Sequence, residues 1–144
     1  MANYYTNFSV VLKLPDEAAQ AYALELAQQA CQGQLGNVLP KNFPKALADV
    51  IEDWQFETEA DSPAEGHGIW MHSECGGVDA LCAFLQHLLR KFNPHGRVGF
   101  AWSYDCSKPR LDAYGGGAAI VTARSIRSIE TGQWLMKHGA SPTV

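Results

Sequence analysis

A chain of 144 residues, 47% hydrophobic and 18% charged, is long enough to bury one core unaided and too short for two domains of ordinary size. That balance excludes a disordered chain, and no run approaches the roughly 18 consecutive apolar residues of a membrane-spanning helix. The net charge of −4 disfavours direct nucleic-acid binding, yet it hides an asymmetry: residues 1–80 hold 12 acidic and 3 basic side chains, and residues 81–144 hold 3 acidic and 8 basic ones.

The opening Met1-Ala2-Asn3-Tyr4-Tyr5 lacks the charged-then-apolar layout of a signal peptide, so the expectation is a cytoplasmic protein with no membrane partner. Cys31, Cys75, Cys82 and Cys106 form no CxxC pair, which argues for reduced thiols over a zinc ribbon or disulfide framework.

Phe8, Val10, Leu12 and Leu14 alternate with Ser9, Val11 and Lys13, the period-2 pattern of a first strand with one face buried. Pro15-Asp16 then opens a helix to about Gln32, with Ala19, Ala23, Leu26 and Ala30 on its inner face and Gly33 as C-cap. Leu47, Val50, Ile51 and Trp54 recur at helical spacing, predicting a short second helix. Alternation over Phe56–Ala60, a turn-rich segment from Asp61 to Gly68, and alternation again over Ile69–Glu74 predict a hairpin. The clearest amphipathic helix follows, its stripe formed by Val78, Leu81, Cys82, Leu85, Leu88, Leu89 and Phe92 before Asn93-Pro94. Val98, Phe100, Trp102 and Tyr104 alternate in another strand, Ala118–Ala123 forms the last, and a closing helix is expected over Gln133–Lys137. This order predicts one α+β domain spanning residues 1–144, a two-layer α/β sandwich related to the ferredoxin-like arrangement, with a mostly antiparallel sheet and helices on one face.

Four groups of residues invite a chemical reading. Acidic residues Asp49, Glu52, Asp53, Glu57, Glu59, Asp61 and Glu65, interleaved with Trp54 and Phe56, combine charge with apolar contact area; Glu52, Asp53, Trp54, Phe56, Glu57, Glu59 and Asp61 are the expected contact surface for a basic partner. Cys106, Ser107, Lys108 and Arg110, followed by Tyr114, Gly115, Gly116 and Gly117, bring cations beside a glycine run whose N–H groups could approach an anion, such as the phosphate of a nucleotide. The lysine precedes the glycines and no GK[ST] follows, so this is no Walker loop, and a structural turn or bulge competes with the ligand reading.

The strand Gly99-Phe100-Ala101-Trp102-Ser103-Tyr104 partly resembles the aromatic strand of RNA-recognition motifs, but the acidic balance disfavours RNA. A homodimer closed by this aromatic strand is a further expectation. His67, His72 and Cys75 are close in sequence, but alternation puts the two histidines on opposite faces, so no metal is expected. Glu57 and Glu59 share a strand face as a solvated edge, not an acid–base pair. Cys106, with Lys108 and Arg110 nearby, is the one candidate nucleophile; it lacks a visible base, no cofactor is implied, and a cysteine-dependent enzyme ranks last.

The segments Gly68-Ile69-Trp70-Met71-His72-Ser73-Glu74, Cys106-Ser107-Lys108-Pro109-Arg110 and Tyr114-Gly115-Gly116-Gly117-Ala118 together resemble a family of small accessory proteins of bacteriophages and prophages, over roughly the C-terminal two-thirds of the chain. The resemblance implies a phage accessory protein acting in the host cytoplasm and carries over no catalytic residues. The leading expectation is therefore a non-enzymatic protein that binds a host protein, inhibiting a defence or nucleic-acid-processing complex. The alternative is a binder that sequesters a nucleotide or another phosphate compound.

Overall fold

A computed structural model describes residues 3–61, 66–110 and 113–140. The elements run β1 (Tyr4–Leu14), α1 (Glu17–Gln34), α2 (Lys45–Ala48), a 3-10 turn (Ile51–Asp53), β2 (Glu57–Asp61), β3 (His67–Ser73), α3 (Val78–Phe92), β4 (Arg97–Cys106), β5 (Gly115–Thr122), β6 (Ile126–Glu130) and α4 (Thr131–Lys137). The six strands form one sheet in the order β2-β3-β1-β4-β5-β6, and every neighbouring pair is antiparallel. Because β3 inserts between β1 and β2, the first half is a split β-α-β connection, and β5 and β6 extend the sheet beyond β4. This is the expected α+β sandwich; among the described residues no helix is long and apolar enough to cross a membrane.

Alternation places the core. Phe8, Val10, Leu12 and Leu14 of β1, Ile69 and Met71 of β3, Phe100 and Trp102 of β4, and Ala119 and Val121 of β5 are buried against the helices. Their neighbours Ser9, Val11, Lys13, Trp70, Gly99, Ala101, Ala118 and Ile120 stay exposed on the opposite face. Helix α3 supplies Leu81, Phe84, Leu85 and Leu88, all fully buried, and each such side chain contributes roughly 1.5–3 kcal/mol relative to exposure. Small residues Ala19, Ala23, Ala27 and Ala30 bring α1 close to the sheet. An aromatic cluster fills the centre: Phe8 lies 6.0 Å from Phe56 and from Phe100, and Trp54 lies 4.9 Å from Phe56 and 5.1 Å from Phe84.

Polar bonds fix helix ends and seams. Asp16 caps α1 by accepting from Ala19 N–H at 2.8 Å. Asp53 caps α3 across the fold, its Oδ2 accepting from Ala80 N–H at 2.9 Å, because the preceding Gly77 has no side chain to do so. Gln20 donates to Gly68 O, and Arg90 donates to Ala123 O.

Several boundaries depart from expectation. Strand β1 begins four residues before Phe8 because Tyr4–Asn7 pair with Ser103–Cys106 of β4. Helix α1 passes Gly33 and ends at Gln34, with Leu35 as its C-cap and the left-handed residue at Gly36 (φ 100°). The second helix divides into α2 and the 3-10 turn, with Asp49 and Val50 between them. Strand β5 starts at Gly115, three residues before the expected Ala118, and β6 follows it as a sixth strand beyond the expected set.

Gly117 is required where β4, β5 and β6 meet. It pairs with Trp102 on one side and Glu130 on the other, and a Cβ there would overlap the Trp102 ring and the Ile129 carbonyl. Gly117→Ala should therefore destabilise the fold by about 1–3 kcal/mol through overpacking, read as a lower denaturant midpoint at unchanged m-value.

His87 offers a second test. Its ring nitrogen lies 2.8 Å from Tyr22 Oη, and burial first, then Lys91 and Arg90, push its pKa below the usual imidazole value. A folded pKa below the unfolded one of about 6.5 means that the unfolded chain takes up the proton more readily. This contribution to stability is present above that pH and is lost as pH falls toward the folded pKa. His87→Gln should flatten the pH dependence of unfolding just below pH 6.5, whatever it does to absolute stability.

Candidate functional site: the acidic end of the open sheet face

The hairpin register assembles a cluster on the face away from the helices. Glu57 of β2 stands directly opposite His72 of β3, and Glu59 opposite Trp70. On the other side of β3, Ser9 pairs with His72 and Val11 with Trp70. His72 Nε2 lies 2.6 Å from Glu59 Oε2 and 3.6 Å from Glu57 Oε2. The Trp70 ring stacks on His72 with centroids 3.9 Å apart, and its Nε1–H donates to Ser9 Oγ at 2.8 Å. Indole, imidazole and carboxylate thus hold one another in place on a surface that faces water.

Beside the cluster lies an open depression of about 650 Å³ lined by Asn7, Ser9, Gln55, Glu57, His72 and Glu74, among others. Ser73 Oγ donates to Gln55 O, and Thr6 binds the Glu74 carbonyl and the Gly76 N–H through its backbone, so its rim is firmly joined to β1. Glu57, Glu59 and His72 each place one ligand atom within 4.8 Å of the others, so they are the described side chains best arranged to share a cation. In this structure the imidazole is instead paired with the carboxylates. The cluster can attract positive charge; an ammonium or guanidinium group meets two carboxylates and an aromatic face together.

The sequence expectations divide here. Glu57, Glu59 and Asp61 share the open face, since they pair with His72, Trp70 and Gly68; Glu65 lies outside the described residues. Trp54 and Phe56 are core residues, 2% and 3% exposed, so their rings offer a partner no contact. Asp53 is half-buried and committed to capping α3, while Glu52 is exposed on the 3-10 turn. The aromatic rings beside the glutamates are Trp70 and His72, which occupy the strand positions that a hairpin sets across from Glu59 and Glu57; the sequence expectation weighed His72 only as a metal ligand and gave Trp70 no part in the contact surface. His67 does fall on the opposite face from His72, as its pairing with Leu14 requires.

The glycine segment is strand rather than loop. Gly115, Gly116 and Gly117 pair with Tyr104, Ser103 and Trp102, and Gly116 N–H donates to Thr131 Oγ1 at 3.0 Å. Their backbone is committed to the sheet, which favours the structural alternative over an anion cradle. Ser107 ties back to Asn3, donating N–H to its carbonyl and accepting from its N–H at Oγ. Lys108 and Arg110 are exposed in the connection that follows, and Tyr114 Oη donates to Cys106 O at 3.4 Å. Cys106 itself ends β4 opposite Tyr4. Two other thiols are held in the protonated form: burial, then Asp79 and Asp53, push Cys82 up to about 11, and burial, then Glu57, raise Cys31. Phe100 and Trp102 are buried, so the strand that resembles an RNA-recognition motif keeps both rings in the core.

No protein-family model, curated protein or solved structure matches the chain.

The two kinds of residue in the acidic region separate experimentally. Phe56→Ala should cost about 3–5 kcal/mol of stability, as for a truncated core aromatic. Glu57→Gln should shift stability by no more than about 0.5 kcal/mol, as at an exposed site. Urea unfolding of both variants checks the assignment.

Proposed function

We propose that this chain is a non-enzymatic docking protein that offers the open face of its sheet to a partner with a basic surface. The observation that carries the reading is the row Glu57, Glu59 and Asp61, set beside the stacked Trp70 and His72 on the face of β2 and β3 opposite the core. Carboxylates at an exposed edge steer and orient a positively charged partner, while the indole supplies apolar contact area.

The resemblance to phage and prophage accessory proteins supports a host protein as that partner and the host cytoplasm as the place of action. A host defence or nucleic-acid-processing complex suits this chemistry, because surfaces that contact phosphate are rich in lysine and arginine. The same carboxylates repel nucleic acid itself, so the partner is the protein and not its substrate.

A lysine-rich peptide is a sufficient probe of the surface. It should bind the wild-type chain with an affinity that falls as salt is raised. Replacing Glu57, Glu59 and Asp61 together by their amides should weaken binding about tenfold or more, equivalent to about 1.4 kcal/mol. Unchanged affinity in that variant, measured by fluorescence anisotropy, would overturn the assignment of the surface.

A further inference from the structure

We infer that the open sheet face is self-complementary and takes a second copy of this chain, the two sheets packing face to face about a two-fold axis parallel to their strands. The inference rests on reading this face as a docking surface and names one partner for it.

Relief divides the face into unlike halves, and charge sets its two edges apart. On β3 and β1 it carries Trp70 and Val11, while on β4 and β5 Gly99, Ala101, Ser103 and Ala118, all exposed, leave a floor without large side chains. Ile120 and Ile129, 46% and 54% exposed, rise at the far side of that floor. Acidic residues Glu57, Glu59 and Asp61 occupy the β2 edge and Arg127 stands on β6 at the other edge; between them the face also carries Lys13 on β1 and Arg97 and Asp105 at the two ends of β4. Arg127 makes no ion pair among the described residues.

An axis along the strands, between β1 and β4, reverses strand order in the second copy. Strand β2 then faces β6 of the second copy, β3 faces β5 and β1 faces β4. The ladders align Glu59, Trp70 and Val11 on one rung and Gly99, Ile120 and Arg127 on another. When these rungs meet, Glu59 faces Arg127 of the second copy, Trp70 faces Ile120, and Val11 faces the bare backbone of Gly99. A closed two-fold contact makes each pairing twice, and sheets packed this way stay within about 30° of each other. An axis across the strands would instead set β2 on β2, acid against acid.

Charge exchange isolates this arrangement, because within one chain Glu59 and Arg127 are five strand spacings apart, about 24 Å. Sedimentation velocity over a concentration series should show a wild-type dimer. E59K and R127E should each weaken association tenfold or more, and Ile120→Asp should do the same at the middle of the contact. A one-to-one mixture of E59K with R127E should recover the dimer, since both cross-chain pairs are then of opposite charge; so should the double variant E59K/R127E. Circular dichroism confirms that each variant is folded.

A wild-type chain that remains monomeric throughout would overturn the proposal. So would a dimer indifferent to R127E and Ile120→Asp, or single variants that the mixture fails to rescue. Failure of the dimer separates from failure of the wider docking reading through R127E, which keeps Glu57, Glu59 and Asp61: it should bind the lysine-rich peptide as a monomer. Failure of monomeric R127E to bind the peptide, with the wild-type dimer intact and rescuable, would instead count against the basic-partner reading alone.

Discussion

Burial on only one face of the sheet is the constraint on which the rest of this molecule depends. Strand β1 is the spine of that arrangement: Phe8, Val10, Leu12 and Leu14 point to the helices while Ser9, Val11 and Lys13 point away, and both neighbouring strands take their register from it. A one-residue slip would invert every side chain of a strand and expose its apolar row. The same alternation that secures the core therefore also fixes which residues are displayed, so Glu57, Glu59, Trp70 and His72 meet because Phe56 and Met71 must not be exposed.

This coupling explains why the acidic region is misleading in sequence. Acidic and aromatic residues alternate through Asp53, Trp54, Phe56, Glu57 and Glu59, and their neighbourhood along the chain suggests a mixed contact surface. In three dimensions the two kinds part company: the aromatics enter a cluster with Phe8, Phe84 and Phe100, Asp53 turns to cap α3, and the glutamates go to water. What joins the glutamates on the surface is a cross-strand set drawn from β3 and β1.

Most of the fold was legible because most of it is amphipathic. The leucine stripe of α3 and the alternation in β1 are one-sided patterns whose only stable solution is burial against each other. Strand β6 carried no such signal: Ile126 to Ile129 are all exposed and Glu130 only half-buried, so nothing in the hydrophobic pattern distinguishes it from a loop. The glycine run was unreadable for a different cause. Glycine has little strand preference of its own, and Gly117 is in the sheet because the Trp102 ring leaves no room for a side chain there. At the candidate site, the glutamates were visible as a strand face, but their meeting with His72 and Trp70 depends on the pairing register of β2 with β3, and composition does not encode that register.

The sheet is open, so it has two rims, and each leaves a row of backbone donors and acceptors without strand partners. Such rims invite other chains to zip on and grow into fibres. Strand β2 is five residues long with a glutamate at its start, another at its middle and an aspartate at its end, and a like strand approaching sideways would bring carboxylate against carboxylate. The acidic border thus doubles as a guard against runaway polymerisation, keeping association to closed, finite contacts.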